Sequence, residues 1–315
     1  MPSTTAVHVD RALSNISIFY KNPGYVADII SPPVNVVKES DKYFVYGTEH
    51  FRIPPTLRRD KGMTGEVTYS LSTDSYYCEE YGLHELISDR ERGNSDAALR
   101  PEIDATEHLT EVLSLDREYR VANLLLDNTS AQWGNYAATH FENLGAAWDD
   151  KANADARGDI YHAKLIIWAD ARRQPNTMFI PVEVAYQLAQ LDQVDELRKY
   201  TDPGLVLDSG LPPKVWGLNI KECQSTYESQ DEGATTIIRD ETWGNNVIIC
   251  YINPQPMSLK TQTFSLTMQN RNFEIRKWRE EKRRSDCIEA THIYDMKIVS
   301  PSCGFVYTNA MTSAI

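Results

Sequence analysis

The chain has 315 residues, 41% of them hydrophobic and 10% aromatic, which is enough apolar side chain for about two packed domains and excludes a disordered chain. A formal net charge of −13 argues against a protein that grips nucleic acid through its phosphates, since that affinity comes from clustered Lys and Arg. The five cysteines (Cys78, Cys223, Cys250, Cys287 and Cys303) are widely spaced and include no CxxC pair, which argues against a disulfide framework or a zinc site.

Residues 1–38 are expected to form an arm. Phe19, Tyr20, Tyr25, Ile29 and Ile30 are interrupted by Asn-Pro-Gly and Pro-Pro breaks, so the segment cannot build its own core and must lie along its own body or a neighbour. The first residues lack the charged-then-apolar pattern of a signal peptide, and no apolar run is long enough to span a bilayer. Residues 39–82 predict a long β-hairpin. KYFVYG is one strand, and EVTYSLSTDSYY is the return, with Val67, Tyr69 and Leu71 alternating against Glu66, Thr68 and Ser70. The connection carries Pro54, Pro55, Gly62 and Gly65 around a basic tip of Arg58, Arg59 and Lys61. Its length is unusual for a compact domain. Either it packs on a partner or it is a mobile surface loop.

CEEYGLHELISDRERGNSDAALRPEID predicts a helical stretch that becomes irregular. The clearest helix follows at 104–127, with Ala105, Val112, Leu115, Tyr119, Ala122 and Leu126 on one stripe and Leu109 beside it. Asp104 is the expected N-cap, with Glu107 in the capping-box position. SAQWGNYAATHFENLGAAWDDKANADARGD reads as a polar connection holding two Trp. GDIYHAKLIIWADARR predicts a second helix and QPNTMFIP a short buried strand. A third helix is expected to start at Pro181, with Val184, Leu188 and Leu191 as its stripe. KVWGLNIKECQSTYE, ATTIIRD, NNVIICYINP and TFSLTMQ predict strands. A charged strand, NRNFEIRKWREE, then leads to IEATHIYDMKIV. Period-two alternation in that last stretch sets Ile288, Ala290, His292, Tyr294, Met296 and Ile298 on one side, the pattern of a half-buried strand. An SPSCG turn and a GFVY strand close the chain.

Catalytic signatures are lacking: there is no phosphate-binding loop, GxGxxG, HExxH or GxSxG. His84-Glu85 and Glu107-His108 are expected on helical stretches without a further ligand at metal spacing. Cys287 and Asp295 would share the face of a strand opposite His292, which opposes a Cys-His pair. Two charge clusters remain. One is the hairpin tip. The other is the mixed run from Arg276 to Arg284, in which Glu280 and Glu281 dilute a basic set that includes Arg276, Arg279 and Arg283, with Trp278 its one aromatic. That run is either a solvated strand face or a set of intersubunit salt bridges.

In this order of elements the chain resembles the major capsid proteins of tailed bacteriophages with the Hong Kong 97-like fold. The strings that carry the resemblance are the passage from STDSYYCEEYGLHELISDRERG to EHLTEVLSLDREYRVANL, RRQPNTMFIPVEVAYQL, the stretch from Trp243 through CYINPQPMSLKTQTFSLT, and the closing WREE and YDMKIV strands. The resemblance implies an α+β fold. It would comprise an N-terminal arm (1–38), an extended hairpin or E-loop (39–82), a peripheral domain with a spine helix (83–170, helix 104–127), an axial domain (171–258) and a peripheral return (259–315). It also implies a structural, non-enzymatic role without cofactor or metal. Copies would assemble into pentamers and hexamers of an icosahedral virion shell, built in the host cytoplasm around double-stranded DNA that is not specifically bound. Portal, scaffolding and decoration proteins would be its partners, with no membrane. An acidic wall that repels packed DNA suits that role. The intersubunit contacts expected from the residues are Phe19, Tyr20, Tyr25, Arg58, Arg59, Lys61, Arg276, Arg279 and Arg283. The rival readings are an encapsulin-like compartment shell and an α/β hydrolase.

Overall fold

The computed structural model describes residues 22, 24–46, 53–54, 56–58, 60–68, 71–94, 101–199, 206–230, 238–255 and 262–312. Helix α1 (Ala27–Ile30) and strand β1 (Pro33–Asn35) precede a hairpin of β2 (Ser40–Tyr46) and β3 (Leu71–Tyr77). Next come β4 (Glu79–Ser88), a short helix α2 (Asp89–Asn94) and the long helix α3 (Pro101–Leu126). The stretch expected to begin as a helix at Cys78 is therefore the strand β4. Tyr81, Leu83, Glu85 and Ile87 are spaced by two, and this strand pairs antiparallel along its length with the penultimate strand of the chain. Helix propensity in CEEYGLHEL loses to that tertiary partner.

The first sheet has the order β1-β12-β13-β4, where β12 is Ser265–Glu280 and β13 is Ser285–Ile298. Helix α3 lies across one face. At ~1.5 Å per residue its 26 residues reach about 39 Å. Its buried stripe is Ala105, Leu109, Leu113, Arg117, Val121 and Leu125, a strict spacing of four, with Glu118 and Ala122 beside it. It keeps Ala105, Leu109 and Ala122 of the expected set, but Val112 and Tyr119 are each 37% exposed and Leu115 and Leu126 are only half-buried. The helix also starts at Pro101, so Asp104 lies in its first turn and is not the N-cap. Pro at the start fits because the missing N–H would have no partner there.

Strand β13 has the expected alternation, but it is buried on both faces over most of its length. Ile288 and Ala290 pack under α3 with Ile87, Ala105, Leu109 and Leu113. On the opposite face, Ile293 packs with Tyr76, Cys78 and Met268, where the base of the hairpin crosses the sheet. Local alternation could show one covered face; the second cover comes from a segment more than two hundred residues away in sequence.

The second sheet has six strands in the order β5-β14-β11-β6-β8-β7. They are β5 (Phe141–Asn143), β6 (Thr177–Pro181), β7 (Lys214–Val215), β8 (Leu218–Cys223), β11 (Val247–Cys250) and β14 (Gly304–Thr308). Segments 83–170, 171–258 and 259–315 thus all contribute to it. A separate pair joins β9 (Thr226–Glu228) to β10 (Arg239–Glu241). Helix α4 (Ala156–Ala171) is capped by Asp155, whose carboxylate accepts from Gly158 N at 3.0 Å. The expected third helix is two: α5 (Val182–Ala189) and α6 (Asp192–Arg198), with Leu191 buried at the break between them.

The stretch read as a polar connection is core. Trp133 and Trp148 are fully buried, and each contributes about 5 kcal/mol of transfer free energy at ~25 cal/mol per Å². Phe264 packs on Trp133, with ring centres 5.4 Å apart. A Cβ at Gly304 would lie 2.1–2.6 Å from the Phe264 ring, so only glycine fits beneath it.

Candidate intersubunit surfaces

Among the described residues, the hairpin strands β2 and β3 pair only with each other. An isolated two-stranded hairpin is marginal in water unless something covers one face. Its base is held on the body: Tyr77 N donates to Asp295 Oδ2 at 2.9 Å, and Cys78 N donates to Glu39 O at 2.7 Å. Beyond the base, Phe44 is exposed, and Ile53, Leu57 and Met63 are 97%, 91% and 97% exposed. The return strand begins at Leu71, not at Glu66, and residues 62–68 carry no regular structure. At the tip, Arg58 Nε donates to Gly62 O at 2.7 Å, and Lys61 takes a left-handed φ of 60°. Both cations are exposed, while Arg59 lies outside the described residues. The result is a locally closed basic turn flanked by bare apolar side chains.

The described part of the arm lies along its own body. Val26, Ala27 and Ile30 are buried, and β1 runs parallel to β12. Its anchor is Glu118 on α3, which is fully buried. Val26 N and Ala27 N donate to its carboxylate at 3.1 and 2.7 Å, Trp243 Nε1 at 2.7 Å and Ser225 Oγ at 3.5 Å. Burial pushes the Glu118 carboxyl above the usual range, while these donors pull the other way. Two turns earlier, Glu111 accepts from Tyr25 Oη at 2.6 Å and from Asn22 N at 3.3 Å. Arg117 forms an ion pair with Asp28. Tyr25 is therefore half-buried against its own chain; Phe19 and Tyr20 lie outside the described residues. The sequence reading missed Glu118. The four-residue ladder 105-109-113-117-121-125 holds one charged residue, Arg117, and Glu118 is buried beside it with Ala122, which is also on the apolar side of the helix.

The mixed-charge run folds onto its own chain. The Arg279 guanidinium forks onto Asp89 with two bonds of 2.6 Å and reaches Asp286 at 3.2 Å. Asp286, nearly buried, also pairs with Arg92, and Lys277 lies 3.7 Å away. Glu102, at the start of α3, takes Arg92 at 3.0 Å and Lys277 at 2.6 Å. Hydrogen bonds from Arg92 and Arg279 hold the Asp286 carboxyl below its usual range. Arg276 pairs with Glu274 at 3.0 Å, and Arg283 with Glu280 at 3.5 Å. The network ties the end of the β12–β13 ribbon to α2 and α3, and next to it Ile275 and Trp278 are 50% and 42% exposed.

The histidines and cysteines weighed for chemistry lie apart from these surfaces or are packed in the core. His84 and Glu85 sit on β4, not on a helix, and Glu85 Oε2 lies 3.5 Å from His108 Nδ1 on α3. His292 stacks on Phe273 beneath α3. Burial raises the thiols of Cys78, Cys223, Cys250, Cys287 and Cys303, leaving them protonated and poorly nucleophilic. Among the described residues, no three His, Cys, Asp or Glu side chains are grouped to hold a metal, and no helix is long and apolar enough to cross a membrane.

No protein-family model matches the chain. Among curated proteins, it is 25% identical over 303 residues to the major capsid protein of Burkholderia phage BcepMu, covering 95% of each. It is 31% identical over 148 residues to the major capsid protein of Pseudomonas phage JBD67, 46% of each. Among solved structures, it is similar to a phage-related protein from Bordetella bronchiseptica RB50, with a TM-score of 0.67 at 18% identity over 94% of this chain and 95% of that one. It is also similar to the capsid structure of cyanophage P-SCSP1u, with a TM-score of 0.65 at 11% identity over 93% and 89%. Its curated homologues are thus phage major capsid proteins, and it shares its fold with phage capsids.

Proposed function

We propose that this chain, a homologue of phage major capsid proteins, is the shell subunit of a virion head and assembles as pentamers and hexamers around double-stranded DNA. The observation that carries this reading is the similarity to a phage major capsid protein along 95% of both chains. The surfaces support it. The hairpin presents apolar residues its own body leaves uncovered, and specific obligate interfaces that cover such surface commonly bury over ~2,000 Å². In this reading the hairpin is an intersubunit clamp. The sheet beneath α3 is the core of a peripheral unit, and the six-stranded sheet is the core of an axial unit. Assembly takes place in the host cytoplasm, with portal and scaffolding proteins, and decoration proteins where the head carries them. The charge of −13 leaves the packaged DNA without specific contacts.

Electron microscopy of the overexpressed protein, alone and with a co-expressed scaffolding protein, tests the reading. Rings of five and six subunits or closed shells are expected. A monodisperse monomer at every protein and salt concentration would overturn it. Nanomolar, sequence-specific DNA binding near physiological salt in a shift assay would count against the container role.

A further inference from the structure

Helix α4 meets its structural demand with one face. Ala156, Ile160, Ala163, Ile167 and Ala171 are buried at helical spacing. The opposite side nevertheless carries Tyr161, Leu165 and Trp168, which are 42%, 65% and 45% exposed. Positions i, i+4 and i+7 share a face. Single exposed apolar residues are ordinary; three in a row on one helix mark a contact surface. The same stripe holds Arg157, Lys164 and, just past the helix end, Arg172. The Arg157 and Lys164 head groups lie 5.6 and 5.7 Å from the centre of the Tyr161 ring. Lys164 also donates to Trp216 O at 2.8 Å. Among the described residues these three cations have no carboxylate partner, whereas Arg92, Arg120, Arg276 and Arg279 each have one. A cationic, aromatic face left unpaired on a chain of −13 fits an acidic surface with apolar content.

The chain carries such a surface. On α6, Asp192, Asp195 and Glu196 are exposed, and among the described residues only Asp195 has a cation partner, Arg198 at 3.1 Å. Tyr186 on α5, nearby in sequence, is 48% exposed. Within one molecule, Arg157 N donates to Gln193 Oε1 at 3.0 Å, so the starts of α4 and α6 are neighbours. We infer that the outer face of α4 docks on the α5–α6 face of a second copy of this chain. Two different patches on one subunit make a head-to-tail contact, which repeats and closes into a ring where the rotation allows. The inference rests on the shell reading for self-association and adds a contact separate from the hairpin.

Sedimentation velocity of the full-length chain tests it, with circular dichroism melts to report the fold. R157E/R172E and, separately, L165S are expected to lower the assembled fraction at least tenfold without shifting the melt. Adding D192K/E196K to R157E/R172E is expected to bring assembly back to within twofold of the parent. If R157E/R172E does not fold, L165S carries the test, since Leu165 is mostly exposed. A parent that assembles, together with folded variants that assemble equally well, overturns this contact and leaves the shell reading standing. Loss without recovery in the four-site variant overturns α6 as the partner. A parent that never self-associates overturns both readings.

Discussion

Glu118 on α3 and Trp243 lie 125 positions apart in the chain and are joined by a buried hydrogen bond of 2.7 Å from the indole Nε1 to the carboxylate. The same carboxylate holds the backbone of Val26 and Ala27. One side chain therefore fixes the end of the arm, the long helix and the loop before β11. A fully buried carboxylate persists only when its lone pairs are satisfied, and here several donors converge on it.

Glu118→Ala should destabilise the subunit by at least about 3 kcal/mol, because it leaves two backbone N–H groups and the Trp243 N–H without an acceptor in a buried site. Urea unfolding followed by tryptophan fluorescence measures this directly. A change under about 1 kcal/mol would mean that water or a neighbouring group replaces the carboxylate.

His292 is almost completely buried between Phe273 and Tyr294, and among the described residues its Nε2 has no hydrogen-bond partner. Burial and the nearby Arg117 charge lower its pKa from 6.5 to about 4. A folded pKa below the unfolded one means that the unfolded chain takes up the proton first as pH falls. Stability is then intact above pH 6.5 and declines towards pH 4, by about 3 kcal/mol for this group. His292→Phe should flatten the acid limb of the stability curve relative to the parent. Parallel curves for the two proteins between these pH values would refute the assignment.

Glu241 at the end of β10 has the opposite sign. Burial, and the negative charge of Glu183 at the start of α5, raise its pKa from 4.5 to about 7, and one oxygen of each carboxylate is buried without a hydrogen bond. The folded state holds this proton more tightly than the unfolded state. The contribution is thus fully present below pH 4.5 and is lost as pH rises through about 7. Glu241→Gln should stabilise the subunit by about 2–3 kcal/mol at pH 8, and the gain should shrink near pH 5. Thermal melts at the two pH values check this; a gain independent of pH would point to packing instead.

At the hairpin tip, changing Arg58, Arg59 and Lys61 together to Glu should leave the subunit folded, because exposed charges contribute little to its own stability. Assembly should weaken if the tip meets an acidic neighbour, since like charges would then face each other across the contact. Circular dichroism reports the fold and sedimentation reports assembly. Normal assembly of the triple variant would reduce the tip to a solvated turn, and a misfolded subunit would place the hairpin in the core.

By itself the sequence determined the elements whose pattern is local. The body of α4, the fully buried β6, the charged β12 and the alternating β13 are where periodicity puts them, because that signal acts over a few residues. The order of these elements carried the resemblance to phage capsid proteins. The tertiary structure decided whatever depended on distant partners. It turned residues 79–88 into a strand by pairing them with β13, and it rotated the buried stripe of α3 so that Arg117 and Glu118 face inward. It also buried Trp133 and Trp148 in a stretch that reads as polar, and it covered both faces of β13. For the intersubunit surfaces, the basic tip and the charged run were visible as compositions. Only the fold decided that Arg279 and Lys277 pair within their own chain while Tyr161, Leu165 and Trp168 remain uncovered. A residue's partner is set by which segments the sheets bring together, and contacts of that range leave no periodic trace in the sequence.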